Sequence, residues 1–200
     1  RRSTRAAGIP RGRLHGRASR RWTGSGRARQ RGRVDRLASA LAHRGFGHHT
    51  DRSELQNWES GQDHVALYLH NCPEYIEGMV GSYAGRLAPF NVNYRYVAEE
   101  LRYLLNDSHA RVIIFHSAFA ATLDAIRNDL PELELLLQVD DDSGAPLLSG
   151  AVWYEDFLAS APMAPLETPS ADDLYILYTG GTTGMPKGVL WRQGDIYPAA

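Results

Sequence analysis

The spacing of apolar and polar positions changes character at Val34. From that point Val34, Leu37, Ala38 and Leu41 recur at helical intervals, and Gly45 and Gly47 follow as stop signals. Residues 48–63 are polar and aperiodic, which predicts a loop with one helical turn, and His64–Leu69 is an apolar run of strand length. Asn71 stands as an N-cap, with Pro73 just inside and Glu74 three residues on. The helix this opens carries Tyr75, Ile76, Met79, Val80 and Tyr83 and fades at Gly85. Leu87–Val92 reads as a strand interrupted by Pro89, Val97–Leu105 as an amphipathic helix, and Arg111–Phe115 as a β-branched strand. Ala118–Leu130 predicts a helix, Leu133–Val139 a strand and Trp153–Ala159 a short helix, and residues 161–169, with three prolines, form a connector. Leu174–Tyr178 is a buried-type strand running into a glycine-rich stretch, from which Val189–Trp191 departs as another strand.

Short apolar strands alternating with amphipathic helices define an α/β class: a mostly parallel sheet with helices on both faces. There is no internal repeat. The 200 residues suffice for a sizeable core. One cysteine, Cys72, excludes an internal disulfide and a Cys-based zinc site, which points to a reducing, cytoplasmic compartment. No apolar run is long enough to span a bilayer, and a membrane-peripheral position stays open.

Charge sharpens the division. Residues 1–33 hold twelve arginines, six glycines and no acid, whereas residues 34–200 set ten cationic side chains against all twenty-three acids. An Arg/Gly-rich segment so poor in large apolar residues has no face to pack, so residues 1–33 are expected to be disordered. The same composition fits a basic tail contacting nucleic acid, an organellar transit peptide, or a GC-rich gene translated out of frame. The body of the chain, residues 34–200, is acidic and carries no nucleic-acid motif.

Chemistry concentrates at residues 178–188, YTGGTTGMPKG, which include Lys187, the chain's single lysine. Gly180, Gly181 and Gly184 let backbone N–H groups approach a ligand and form an anion-binding concavity. Thr179, Thr182 and Thr183 add hydroxyls, of which Thr182 is the candidate magnesium ligand, and Lys187 adds a slim point charge. This is a set of groups for a polyphosphate. It is not a Walker A loop, because Pro186 precedes the lysine and Gly188 follows it.

The stretch resembles the AMP-binding signature of the adenylate-forming enzymes, with Gly180 where that family usually has Ser. The similarity extends upstream through LASALAHRGF and through the run from DHVALYL to RVIIF, and so covers about residues 34–200. The wording NYRY and the polar insertion at 48–63 most resemble actinobacterial CoA ligases of fatty-acid and steroid side-chain breakdown. The resemblance implies the N-terminal part of the large domain, incomplete here. It implies an activity in which a carboxylate is adenylated by ATP with Mg2+ and the acyl group then passes to coenzyme A. Thr179, Gly180, Gly181, Thr182, Thr183, Gly184 and Lys187 would grip the β- and γ-phosphates, with Lys187 as a clamp and no residue here as a nucleophile. The family's catalytic lysine and its adenine and ribose contacts lie beyond Ala200, so the chain alone is expected to be inactive. The alternatives are a truncated non-enzymatic protein and an adenylation domain that loads a carrier protein. The acyl substrate and the oligomeric state are not readable.

The other polar groups have plainer expectations. His48, His49 and His64 fit no metal-ligand spacing. Cys72 reads as a structural thiol, Asp140–Asp142 as an exposed turn, Asp172 and Asp173 as a polar strand entry, and the tyrosines of 94–103 as core packing.

Overall fold

The computed structural model describes residues 24–179 and 185–196. In chain order these form α1 (Gly24–His43), β1 (His64–Tyr68), α2 (Pro73–Ala84), β2 (Ala88–Asn91), α3 (Ala98–Asp107), β3 (Ala110–His116) and α4 (Ala120–Asp124). They continue as β4 (Leu135–Val139), β5 (Val152–Trp153), α5 (Tyr154–Ala159), β6 (Leu174–Thr179), β7 (Lys187–Arg192) and α6 (Gln193–Ile196). The strands make one seven-stranded sheet in the order β5-β4-β3-β1-β2-β6-β7. All neighbours are parallel except β6 and β7. The α/β expectation of a mostly parallel sheet therefore holds.

Strand alternation sends successive side chains to opposite faces, and both faces are covered. Ala66, Tyr68, Phe90, Ile113 and Phe115 pack with Leu101, Leu104 and Leu105 of α3 and Leu123 of α4. Val65, Leu67, Val112, Ile114 and Leu137 pack with Leu37 and Leu41 of α1 and with Phe157 and Leu158 next to them. The predicted apolar stripe of the first helix is buried throughout, from Val34 to Leu41. That helix closes with Gly45 at φ +83, its N–H on the Ala42 carbonyl at 2.9 Å, while Phe46 N–H reaches the Leu41 carbonyl at 3.1 Å. This pairing requires a left-handed residue, which glycine adopts without strain.

Several predicted boundaries move. The first helix starts at Gly24 rather than Val34, so residues 24–33 of the Arg-rich segment are helical. Residues 1–23 lie outside the described residues. The N-cap of α2 is Cys72, not Asn71. Pro73 fixes the first helical φ and forces the residue before it into extended geometry, seen at Cys72 as φ −150, ψ 168. The predicted helix 118–130 breaks into α4 between two 3-10 turns at Ser117–Phe119 and Arg127–Asp129, which bring Leu123, Ile126 and Leu130 all to the core. Tyr94 is not core but exposed against the His70 ring, 4.8 Å between centroids. Pro89 does not end its strand. Ala88 and Val92 donate to the Asp63 and Leu67 carbonyls beside β1, so the missing N–H of Pro89 falls on the β6 side. There the pairing of β2 with β6 shrinks to Phe90 opposite Ile176.

A partly buried charge network ties α1 to the body. Arg33 donates through Nε to Glu77 Oε1 at 2.7 Å and through its other nitrogens to both oxygens of Glu155 at 2.8 and 2.6 Å. The Tyr154 hydroxyl donates to the second oxygen of Glu77 at 3.2 Å. The hydrogen bonds to Glu155 contribute most to raising the already high pKa of Arg33. Glu77 is 3% exposed, so its carboxylate finds its partners in Arg33 and Tyr154 rather than in water. Among the described residues, no helix is long and apolar enough to cross a membrane. Arg33→Ala is expected to cost about 3 kcal/mol in urea unfolding at neutral pH by stranding the Glu77 carboxylate. Adding Glu77→Gln should recover part of that loss.

Candidate phosphate-binding hairpin and its supports

The glycine-rich stretch hangs from an antiparallel hairpin. Leu174 to Thr179 pair in register with Arg192 to Lys187, so Thr179 and Lys187 face each other across the neck of the loop. Both are exposed. Lys187 is thus the first residue of β7, not part of the turn as the sequence suggests. Cross-strand pairing sets its direction and keeps it beside Thr179. Among the described residues its ammonium group has no ion-pair partner. The candidate phosphate contacts Gly180, Gly181, Thr182, Thr183 and Gly184 lie outside the described residues, and with them the candidate magnesium ligand. Among the described residues no cluster of three metal-ligating side chains occurs.

The glycine after the lysine has a local cause. Gly188 lies opposite Tyr178, and a Cβ there would come within 2.9 Å of the Tyr178 ring. The ring lies against the bare backbone, tilts over Phe90 at 5.7 Å, and sends its hydroxyl to Asp107 Oδ2 at 2.9 Å. Burial, reinforced by Asp107, raises the Tyr178 hydroxyl well above its ordinary pKa, so it stays a donor.

Because β6 has so little ladder contact with β2, a polar clasp holds its entry. Arg86, at φ +56, donates from Nη2 to Asp173 Oδ1 at 3.0 Å and from Nη1 to Glu167 at 3.1 Å. Gln62 donates to the Arg86 carbonyl at 2.7 Å and accepts the Leu174 N–H at 2.7 Å. Asp173 is 2% exposed and also accepts the Ser170 N–H at 2.8 Å, so its role exceeds that of a polar strand entry.

The remaining polar candidates separate cleanly. His49 Nε2 bonds Asp63 at 2.7 Å, and Asp63 also takes the Gly47 N–H and Arg111 at 2.5 Å. His48 lies 3.7 Å from Asp51. These are pairings between loop and strand residues around the entry of β1. Cys72 is half-buried, and burial pushes its thiol up to about 11, the opposite of an activated nucleophile. Asp140–Asp142 form the predicted turn, with Asp141 accepting the Ala118 N–H at 3.0 Å.

One cluster escaped the sequence reading. At the carboxyl ends of β1 and β3, His116 Nδ1 accepts the His70 N–H at 3.0 Å, and Phe119 stacks on Tyr68 at 4.3 Å beside the His70 ring. The signal was present, since each histidine directly follows a strand run, and the carboxyl ends of parallel strands at a topological switch are where ligands gather in such sheets. Burial lowers the pKa of His116, keeping the imidazole neutral as the bond requires.

The sheet order, its two helical faces and the terminal hairpin presenting a Gly/Thr loop beside a lysine define the N-terminal domain architecture of adenylate-forming enzymes. The chain belongs to the AMP-binding enzyme family, whose model matches residues 28–200. That match begins inside the segment read as tail. The chain is 54% identical over 166 residues to the medium-chain acyl-CoA ligase Mig of Mycobacterium avium, covering 82% of this chain and 30% of the relative. It is 38% identical over 137 residues to a 3-oxocholest-4-en-26-oate–CoA ligase of Rhodococcus rhodochrous, covering 68% of this chain and 25% of the relative. The chain therefore spans less than a third of the length of these curated relatives. Among solved structures, the N-terminal domain of FACL13 from Mycobacterium tuberculosis matches with a TM-score of 0.65 and 26% identity, covering 85% of this chain and 38% of that one. The anthranilate CoA ligase AuaEII shares the fold with a TM-score of 0.70 at 24% identity, over 86% of this chain and 30% of that one.

Two outcomes follow for the hairpin and its supports. Gly188→Ala should destabilise the chain by about 1–3 kcal/mol in denaturant unfolding, and Tyr178→Ala in the same chain should relieve the clash. Arg86→Ala should speed amide exchange in β6 and β7 well before it affects β1, β3 and β4, which hydrogen-exchange mass spectrometry resolves. His64 and His116 both have pKa values lowered from 6.5 in the fold, so the unfolded chain binds more protons below that pH. Their contribution is fully present above pH 6.5 and is lost as pH falls through the folded values. The urea midpoint should therefore drop between pH 7 and pH 5, and His116→Asn should flatten that slope.

Proposed function

We propose that this chain is the N-terminal part of an ATP-dependent acyl-CoA synthetase acting on medium- to long-chain fatty or steroid side-chain carboxylates. The observation that carries the reading is the hairpin register, which sets Thr179 opposite Lys187, a lysine with no ion-pair partner among the described residues, where the Gly/Thr stretch leaves the strands. Family membership and relatives that are CoA ligases support it.

In this reading the substrate carboxylate attacks the α-phosphorus of ATP, forming an acyl-adenylate and releasing pyrophosphate. The thiolate of coenzyme A then attacks the acyl carbon, and AMP leaves. Lys187 and the loop hold the β- and γ-phosphates, so the charge that builds on departing pyrophosphate meets a fixed cation and backbone N–H groups. Magnesium, when bound, neutralises phosphate charge, and Thr182 is the residue of this chain proposed to reach it. The chain spans less than a third of the length of these relatives, so in this reading the 200 residues hold only part of the site. A cytoplasmic enzyme fits the single thiol. The basic-tail alternative is weakened by Arg33, whose guanidinium is already engaged by Glu77 and Glu155.

The test is ATP–pyrophosphate exchange in a polypeptide extended to the length of the relatives. Lys187→Ala should lower exchange by about 10²-fold with little change in unfolding midpoint. Unchanged exchange kinetics would remove the clamp assignment, and acyl transfer to a carrier protein but not to coenzyme A would replace the proposed acceptor.

A further inference from the structure

The neck of the hairpin is thinly joined to the sheet. The β2–β6 register holds a single pair, Phe90 with Ile176, so Leu177, Tyr178 and Thr179 pair only with β7. β7 is itself the last strand of the sheet among the described residues. From residues 177–179 and 187–189, one side-chain hydrogen bond reaches the body of the domain among the described residues. In it the Tyr178 hydroxyl donates to Asp107 Oδ2 at 2.9 Å.

The acceptor stands on a fixed element. Asp107 is the last residue of α3, whose Leu101, Leu104 and Leu105 lie in the core. Directly after it, the Ser108 carbonyl accepts the His64 Nδ1–H at 2.5 Å, which fastens the end of α3 to the first residue of β1. Asn106 adds a bond to the Asp129 carbonyl at 3.1 Å. The donor is tied as closely to the hairpin. A Cβ on Gly188 would lie 2.9 Å from Tyr178 Cζ and 3.1 Å from the hydroxyl oxygen. The hydroxyl end of the ring therefore rests on the β7 backbone, one residue from Lys187. Lys187 pairs with Thr179, and strand alternation sends both to the face opposite Tyr178. Tyr178 thus reaches the lysine through backbone and does not share its face.

We propose that the Tyr178–Asp107 bond is a positioning tie that fixes the height and direction of Lys187 for the polyphosphate of ATP. The inference rests on the reading of Lys187 as the phosphate clamp. With the tie, the neck is referenced to α3 and through His64 to the centre of the sheet. Without it, the hairpin is free to rock about the Phe90–Ile176 pair. The cation remains, but the fraction of molecules that hold it in register falls, and apparent affinity for phosphate falls by the same factor. ATP and pyrophosphate both feel that change, and the carboxylate substrate does not. Burial raises the Tyr178 hydroxyl above its ordinary pKa, so the donor persists across the neutral range.

The test is ATP–pyrophosphate exchange in the polypeptide extended to the length of the relatives, with KM measured for each substrate. Tyr178→Phe keeps the ring over Gly188 and should raise KM for ATP and for pyrophosphate about fivefold, with KM for the carboxylate unmoved. Asp107→Ala, at an exposed position, should do the same, and Asp107→Asn, which keeps an oxygen acceptor, should recover most of the affinity. The two losses should not add when Tyr178→Phe and Asp107→Ala are combined. A purely structural role would instead lower the active fraction, and so kcat, with every KM unchanged. That result would overturn the proposal. If Lys187→Ala impairs exchange while Tyr178→Phe leaves both phosphate KM values unchanged, the tie is overturned and the clamp stands. If Lys187→Ala itself leaves exchange unchanged, clamp and tie fall together.

Discussion

The attachment of β6 to β2 governs what the rest of the structure can present. Parallel strands normally hold their neighbours through a continuous ladder. Here Pro89 removes a donor on the side facing β6, and the ladder shrinks to Phe90 opposite Ile176. Position is instead conveyed by the Gln62–Arg86–Asp173 clasp at the entry of both strands and by Tyr178 farther along β6. Everything that makes the hairpin a phosphate-binding candidate, from the direction of Lys187 to the width of the loop neck, is inherited from these few contacts. Arg86 tolerates a left-handed backbone because its carbonyl and its guanidinium are both engaged, so the strain is held by several bonds at once.

The two faces of the sheet divide the work. The α1–α2–α5 face is anchored by Arg33, Glu77 and Tyr154, a part-buried charged network between helices. The α3–α4 face is apolar over β1 and β3 but leaves a groove beside His64. The helical cover thins toward β6 and β7, the strands that carry the hairpin.

Much of this was legible in the chain itself. Every strand except the two-residue β5 follows from an apolar run, and the buried stripe of α1 follows from helical spacing, because burial on one face leaves a periodic trace. The loop chemistry was legible for the same reason that it is local: glycines, threonines and one lysine are contiguous. What escaped were long-range pairings. Nothing around Asp173 signals that Arg86, 87 residues earlier, will bury it. Asn71 looked like a better cap than Cys72 because capping rules weigh side-chain oxygens, whereas Pro73 decided the start through backbone geometry. Arg33 read as one more charge in a basic run until Glu77 and Glu155, far along the chain, were brought beside it.

Sheet order gives Lys187 a second consequence. β7 is the last strand of the sheet among the described residues, and Val189 and Trp191 on it are exposed. An apolar border strand is a template on which another chain can add, and a positive charge on such a strand is a common deterrent. Lys187 and Arg192 stand at its two ends. A cation at the loop neck disfavours such addition along this border. Neutralising it is expected to change colloidal behaviour, so light scattering belongs beside any assay of its loss.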